Sequence, residues 1–215
     1  MTTRQRLIED VDSWLARDDI SVSDAINSII LLAEDYISTD VRLVTQERST
    51  TLLVDGRRVQ APANYLTYRV LFLDGRRLEY KTPEAIRESP EWRGGGPLAS
   101  FSIEGGEDDT VQFVFAPAGT AENPVEVELL YFARIPSLVA NGEEDDPTNW
   151  LLQNHYSVYL YATLRAAAEW VQEEQLEDRY KAKYDECVAR LSRSENRKRF
   201  GAGAKVTYGS SRTVV

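Results

Sequence analysis

In 215 residues the chain has one cysteine, one histidine and one methionine. A single cysteine, Cys187, excludes an intramolecular disulfide framework, and with only His155 beside it the usual ligand set of a structural zinc cannot be assembled. Long apolar runs are also missing. A membrane-spanning helix needs about 20 consecutive apolar residues, and the most apolar stretch, "NWLLQNHYSVYLYATLRAAAEWVQEEQ" (149–175), is interrupted by Asn154, His155 and Arg165. The N-terminus, "MTTRQRLIEDVDSWL", interleaves charged with apolar residues where a secretory signal would have a continuous apolar core. The expected compartment is therefore the cytoplasm in which the chain is made. A phosphate-cradling loop is lacking too: "RGGGP" (93–97) has no Gly-Lys-Ser/Thr ending and does not link a strand to a helix.

What is present is an ordinary globular balance, 42% hydrophobic and 28% charged residues, so a packed core is expected over most of the chain. Charge is unevenly placed. From Arg193 to Val215 six basic residues face one acid, Glu195, a net +5; the rest of the chain holds 19 basic and 34 acidic residues, a net −15. Such a body repels nucleic acid, whereas its C-terminal segment seeks an acidic surface.

Apolar spacing organises the two ends as helices. Leu7, Ile8, Val11, Trp14 and Leu15 recur at three- and four-residue steps after Thr2 and Thr3, and Asp18 and Asp19 mark the stop. After Ser21, Val22, Ile26, Ile29, Ala33 and Ile37 form a second stripe, with Ile30 beside it. Between Leu43 and Ile135 the pattern turns to β-branched and aromatic alternation. Asp55-Gly56 and Asp74-Gly75, both within DGRR, are read as tight hairpin turns. "TPEAIRES" reads as a short helix capped by Thr82 with Pro83 in its first turn. "PLASFSIEGGEDDTVQFVFAP" gives two strands around an acidic turn, and Val125, Val127, Leu129 and Tyr131 are one face of a last strand. Beyond the loop "NGEEDDP", Pro147 and Thr148 introduce the helix of 149–170. A further helix carries the narrower stripe Leu176, Tyr180, Tyr184, Cys187 and Leu191. The expected fold is α+β: an antiparallel bundle of about four helices with an inserted antiparallel β domain and an extended C-terminal arm. The segments are 1–42, 43–135, 136–192 and 193–215.

Candidate chemistry is sparse. His155 reads as a packed or interface histidine and Cys187 as a buried small hydrophobe. The acid clusters 104–109 and 142–147 lack the alternating ligand spacing and distal glutamate of a calcium loop. No catalytic residue, metal or cofactor is assigned. More informative is the helix of 149–170, apolar nearly all round, with Leu152, Tyr156, Tyr159, Ala166 and Trp170 on one side and Leu151, Val158, Tyr161, Leu164 and Ala168 over much of the rest. Such a helix is buried on more than one side, and the expectation is that a neighbouring copy covers what the bundle leaves. Trp150, Tyr156, Tyr159, Tyr161 and Trp170 are the candidate interface residues.

The C-terminal segment, "RSENRKRFGAGAKVTYGSSRTVV", has three possible fates: nucleic-acid binding, a frayed end, or ordering on a partner. Ordering costs ~1–2 kcal/mol per residue, while burying Phe200 and Tyr208 returns only ~1.5–3 kcal/mol each, so it cannot order alone. The β insertion offers a competing function, a carbohydrate- or receptor-binding face built on Tyr65, Tyr68 and Trp92.

"YFARIPSL" (131–138), "DPTNWLLQNHYSVYLYATLRAAAEW" (146–170) and "YKAKYDECVARL" (180–191), preceded by "STTLLVDG" and "APANYLTYRVLFLDGRRLEYKTPEAI", together resemble the head-to-tail adaptor, or head completion, proteins of tailed bacteriophages, particularly short-tailed ones. The resemblance spans nearly the whole chain; Ser157-Val158 replaces a more polar pair and Thr163 a commoner glycine. It implies a structural virion protein of the neck, assembled in the host cytoplasm as a dodecameric ring beneath the portal protein. It also implies contacts with downstream tail or nozzle proteins, and DNA passing through without sequence-specific binding. The family's extended arms dock into the portal, which here assigns Arg197, Lys198, Arg199, Phe200, Lys205, Tyr208 and Arg212 to that contact.

Overall fold

Three- and four-residue apolar spacing becomes helix at both ends of the chain, and two-residue alternation becomes strand between them. The structure, a computed structural model, describes residues 3–15, 22–94, 96–107, 110–139 and 147–200, without the side chains of 22–24, 199 and 200. In chain order the elements are α1 (Arg4–Leu15), α2 (Val22–Asp40), β1 (Glu47–Val54), β2 (Arg58–Gln60), β3 (Tyr65–Leu73), β4 (Arg76–Arg77), β5 (Glu79–Tyr80), α3 (Pro83–Glu88), α4 (Pro90–Arg93), β6 (Ser100–Gly105), β7 (Val111–Ala116), β8 (Val125–Ala133), α5 (Trp150–Asn154), α6 (Tyr156–Trp170) and α7 (Glu174–Phe200). Residues 1–45 with 135–215 form one unit and residues 46–134 another.

The first unit is helical. Leu7, Val11 and Leu15 of α1 and Ile26, Ile29, Ile30, Ala33 and Ile37 of α2 are buried as their spacing requires, while Trp14 is not: it remains 49% exposed, its ring edge-on to Tyr161 at 6.0 Å. Helix α6 lies in the middle, packed against α1, α2, α5 and α7. Its Ala162, Ala166, Ala167 and Ala168 are fully buried, and side chains this small let helix axes approach closely. Thr163 is equally buried, its hydroxyl donating to the Tyr159 carbonyl at 2.8 Å. This corrects the sequence reading. The helix is apolar on most sides because it is the centre of its own bundle, and among its large side chains Trp170 at its end stays exposed.

Two boundaries also differ from expectation. The single helix read over 149–170 is two, broken at His155 (φ −136°, ψ 52°), which serves as the N-cap residue of α6. At the other end α7 continues through Phe200, so residues 193–200, expected to begin an extended arm, are helical. Tyr180, Tyr184, Cys187 and Leu191 are buried as expected, and the buried stripe runs on beyond the expected boundary to Glu195.

The second unit is built from two sheets whose inner faces share one core, centred on Leu71, Phe101, Phe113, Phe115, Val127 and Leu129. Their strand orders are β1-β8-β3-β4 and β2-β7-β6-β5. Pairing is antiparallel except between β5 and β6, which run parallel, so the insertion is mixed where a wholly antiparallel one was expected. Asp74 (φ 49°) and Gly75 (φ 76°) make the tight turn between β3 and β4, Leu73 facing Arg76. The other Asp-Gly makes no hairpin. Asp55 and Gly56 lie between β1 and β2, which belong to different sheets, so this pair turns a corner from one layer to the other. Thr82 caps α3 as predicted, its hydroxyl accepting from the Ala85 N–H at 3.3 Å.

Candidate functional site

The last turn of α7, which carries Arg197 and Lys198, is held to the rest of the helical unit through Glu195. Glu195 occupies a position on the apolar stripe and is only 2% exposed. One carboxylate oxygen accepts the Val44 backbone N–H at 2.7 Å and the other accepts from the Lys198 ammonium at 2.5 Å. Burial by itself would raise its pKa. The hydrogen bonds from Lys198 and Val44, with the charges of Lys198 and His155, outweigh burial and hold it below the ordinary carboxyl value.

Lys198 also stands 5.9 Å from the ring centroid of Trp150, and Trp150 packs against His155 with centroids 5.3 Å apart. Burial lowers the His155 pKa, the Lys198 charge lowers it further, and Glu195 opposes both. The neutral imidazole thus favoured fits the packed role read from the sequence. The end of α7, the start of α5 and the turn after α2 therefore meet through four side chains.

A second network holds the α5 start in place. Asn149 accepts the Leu152 N–H at 2.9 Å as N-cap, and its amide donates to the Pro136 carbonyl at 2.8 Å and the Tyr159 hydroxyl at 2.7 Å. Glu34 accepts the Leu138 N–H at 2.6 Å and the Ser137 hydroxyl at 2.5 Å. Burial raises the Glu34 pKa despite those hydrogen bonds and one to Tyr159. Tyr159 is pushed up as well, first by burial and then by the Glu34 charge.

The predicted interface residues divide accordingly. Tyr159, 1% exposed, lies within its own bundle and has no surface to offer a neighbour, which corrects its assignment. Tyr156 and Tyr161 are half-buried, Tyr156 donating its hydroxyl to Asp10 and Tyr161 sitting against Trp14. Trp150 and Trp170 remain 37% and 54% exposed. Of the arm residues, Arg197 and Lys198 lie exposed on the last turn of α7; Arg199 and Phe200 belong to that helix, and Lys205, Tyr208 and Arg212 lie outside the described residues. Sequence reading noticed Glu195 only as an acid among bases. Its place four residues after Leu191, on the buried stripe, was the available signal. Glu34 and Asn149 were missed for want of any comparable pattern.

In the β unit, the proposed stacking face does not form. Tyr65 is 9% exposed, stacked on Tyr131 and edge-on to Phe113, with its hydroxyl accepting the Tyr68 N–H at 2.9 Å. Trp92 has the Arg57 guanidinium 3.8 Å from its ring centroid. Cys187 is buried, as expected. Among the described residues no three His, Cys, Asp or Glu side chains gather as metal ligands, and no helix is long and apolar enough to cross a membrane. Asp108, Asp109 and the acidic stretch 142–146 lie outside the described residues.

The site is thus an anchored helix end bearing cations, with exposed tryptophans on the same helical unit. No curated protein is matched by the sequence. The sequence profile of the SU10 adaptor protein family matches residues 2–207, nearly the whole chain. The chain therefore belongs to the SU10 adaptor family, structural bacteriophage proteins that connect head to tail.

Proposed function

We propose that copies of this chain form a ring, dodecameric as the resemblance implies, beneath the portal protein in the virion neck. Each copy docks its C-terminal arm on the portal, and the ring joins the DNA-filled capsid to downstream tail or nozzle proteins. The observation that carries this reading is the anchored end of α7. Buried Glu195 ties the last turn of α7, which carries Arg197 and Lys198, to the Val44 N–H. An arm that starts from a fixed root loses less orientational freedom when it docks. Individual arms can bind weakly, because once one arm of a ring is held the others act at high effective concentration.

Exposed Trp150 and Trp170, with Tyr156 and Tyr161 at the rim, are the surfaces proposed for neighbouring copies. DNA passes without sequence-specific contact, in keeping with the −15 charge before Arg193.

The test is a chain ending at Phe200, which keeps α7 whole, compared with the full chain for attachment to portal-bearing heads. Loss of attachment with ring formation retained is the expected result. Undiminished attachment removes the arm from the mechanism. Negative-stain images of the full chain with and without portal report whether rings form, and on whose template.

A further inference from the structure

The two sheets of the β unit have four edge strands, and three are very short: β4 and β5 have two residues each and β2 has three. The fourth edge, β1, has eight. It pairs with β8 in unbroken register from Glu47 opposite Phe132 to Val54 opposite Val125, with no bulge to twist it away. From Ser49 to Leu53 it carries neither charge nor proline, the devices that ordinarily stop an edge from recruiting another strand. Among the described residues no strand lies on its other side.

The chemistry of an occupant follows from the two faces. Leu52 and Val54 point into the core, whereas Ser49, Thr51 and Leu53 face outward, Leu53 being 52% exposed. On the same outer face, opposite Thr51 and Leu53, stand the exposed acids Glu128 and Glu126 of β8. An added strand needs apolar side chains on its inner face and a cation on its outer one. Lys205-Val206-Thr207-Tyr208 has that alternation: Val206 and Tyr208 to one side, Lys205 and Thr207 to the other. In sequence it follows Gly201-Ala202-Gly203-Ala204, directly after the last residue of α7.

We infer that Lys205–Tyr208 of one copy adds as a further antiparallel or parallel strand to the β1 edge of a neighbouring copy. This contact belongs to the chain before it meets the portal. Docking of the same residues on the portal would withdraw them from the edge, so arm release and portal engagement become a single exchange. The inference does not rest on the portal reading, since every measurement below uses the purified chain alone.

Hydrogen exchange on the full chain is followed as its concentration rises. The amides of Ser49–Leu53 and of Lys205–Tyr208 are expected to slow together, by at least about tenfold, and Val206→Pro is expected to abolish both effects. Arm amides that exchange at unfolded rates at every concentration overturn the proposal, and protection that ignores concentration overturns the assignment to a neighbour. Cross-linking gives an independent readout. Full chains carrying Cys187→Ala with either Thr51→Cys or Thr207→Cys are mixed with a short bismaleimide. A mixed dimer is expected; a dimer formed through Thr51→Cys alone means edge-to-edge pairing of two copies and overturns the arm as occupant.

Discussion

Glu195 on α7 accepts the backbone N–H of Val44 at 2.7 Å, joining positions 151 residues apart. Glu195→Ala leaves that N–H and the Lys198 ammonium without their acceptor. A loss of about 1–3 kcal/mol is expected, the range for a buried donor left unsatisfied. Glu195→Gln, which keeps one accepting oxygen, should lose less. Urea unfolding monitored by tryptophan fluorescence measures both, and equal stability for the alanine variant and the parent would remove Glu195 as an anchor.

Two carboxylates of the helical unit, buried Glu195 and half-buried Glu34, should respond to pH in opposite senses. Glu195 has a depressed folded-state pKa, so its contribution is complete above the ordinary carboxyl value of 4.5 and is lost as pH falls through the depressed value. Glu34 has a raised folded-state pKa, so its contribution is complete below 4.5 and is lost as pH rises through the raised value. Relative to the parent, Glu195→Gln should therefore be least costly in acid, and Glu34→Gln most costly there. Unfolding free energies from pH 3 to pH 8 (about the span over which carboxyls titrate) decide the matter by the sign of the two slopes.

Surface and core aromatics should separate assembly from folding. Trp170→Ala removes a half-exposed ring and should change monomer stability by no more than about 0.5 kcal/mol, while ring formation is expected to fail. Tyr159→Phe has no exposed group to lose, yet it deprives the Asn149 amide of its hydroxyl acceptor and should cost about 1–2 kcal/mol, leaving assembly intact. Denaturation curves beside negative-stain images make the comparison, and intact rings in the Trp170 variant would take that residue out of the interface.

Gly119 lies against the end of β1. A Cβ there would sit 2.1 Å from the Val54 carbonyl oxygen, and backbone cannot yield as a side chain can. Gly119→Ala should cost about 3 kcal/mol or more, at or beyond the upper end of overpacking effects. Gly56→Ala, with nothing within 4 Å of its added carbon, should fall within about 0.5 kcal/mol of the parent. Thermal melts of the two variants test the contrast.

Much of the secondary structure was legible because local rules act locally. The stripes of α1 and α2, the Thr82 cap and the Asp74-Gly75 turn each depend on residues within one or two turns of chain. Misreadings arose where a distant element decided the outcome. Asp55-Gly56 has the same composition as the hairpin pair, but β1 and β2 joined different sheets, and only long-range pairing sets that. His155 breaks a helix whose hydrophobicity runs on through it.

The sequence by itself determined the α+β class, the burial of the α7 stripe and the charge asymmetry between body and C-terminal segment, since periodicity and composition suffice for these. Tertiary structure alone decided that α6 lies enclosed within its own bundle, because an all-round apolar helix looks the same whether its cover comes from its own chain or another. It alone also placed Glu195 on the Val44 N–H and Asn149 between Pro136 and Tyr159. Partners that far apart in the chain meet only when the packed helices bring them together.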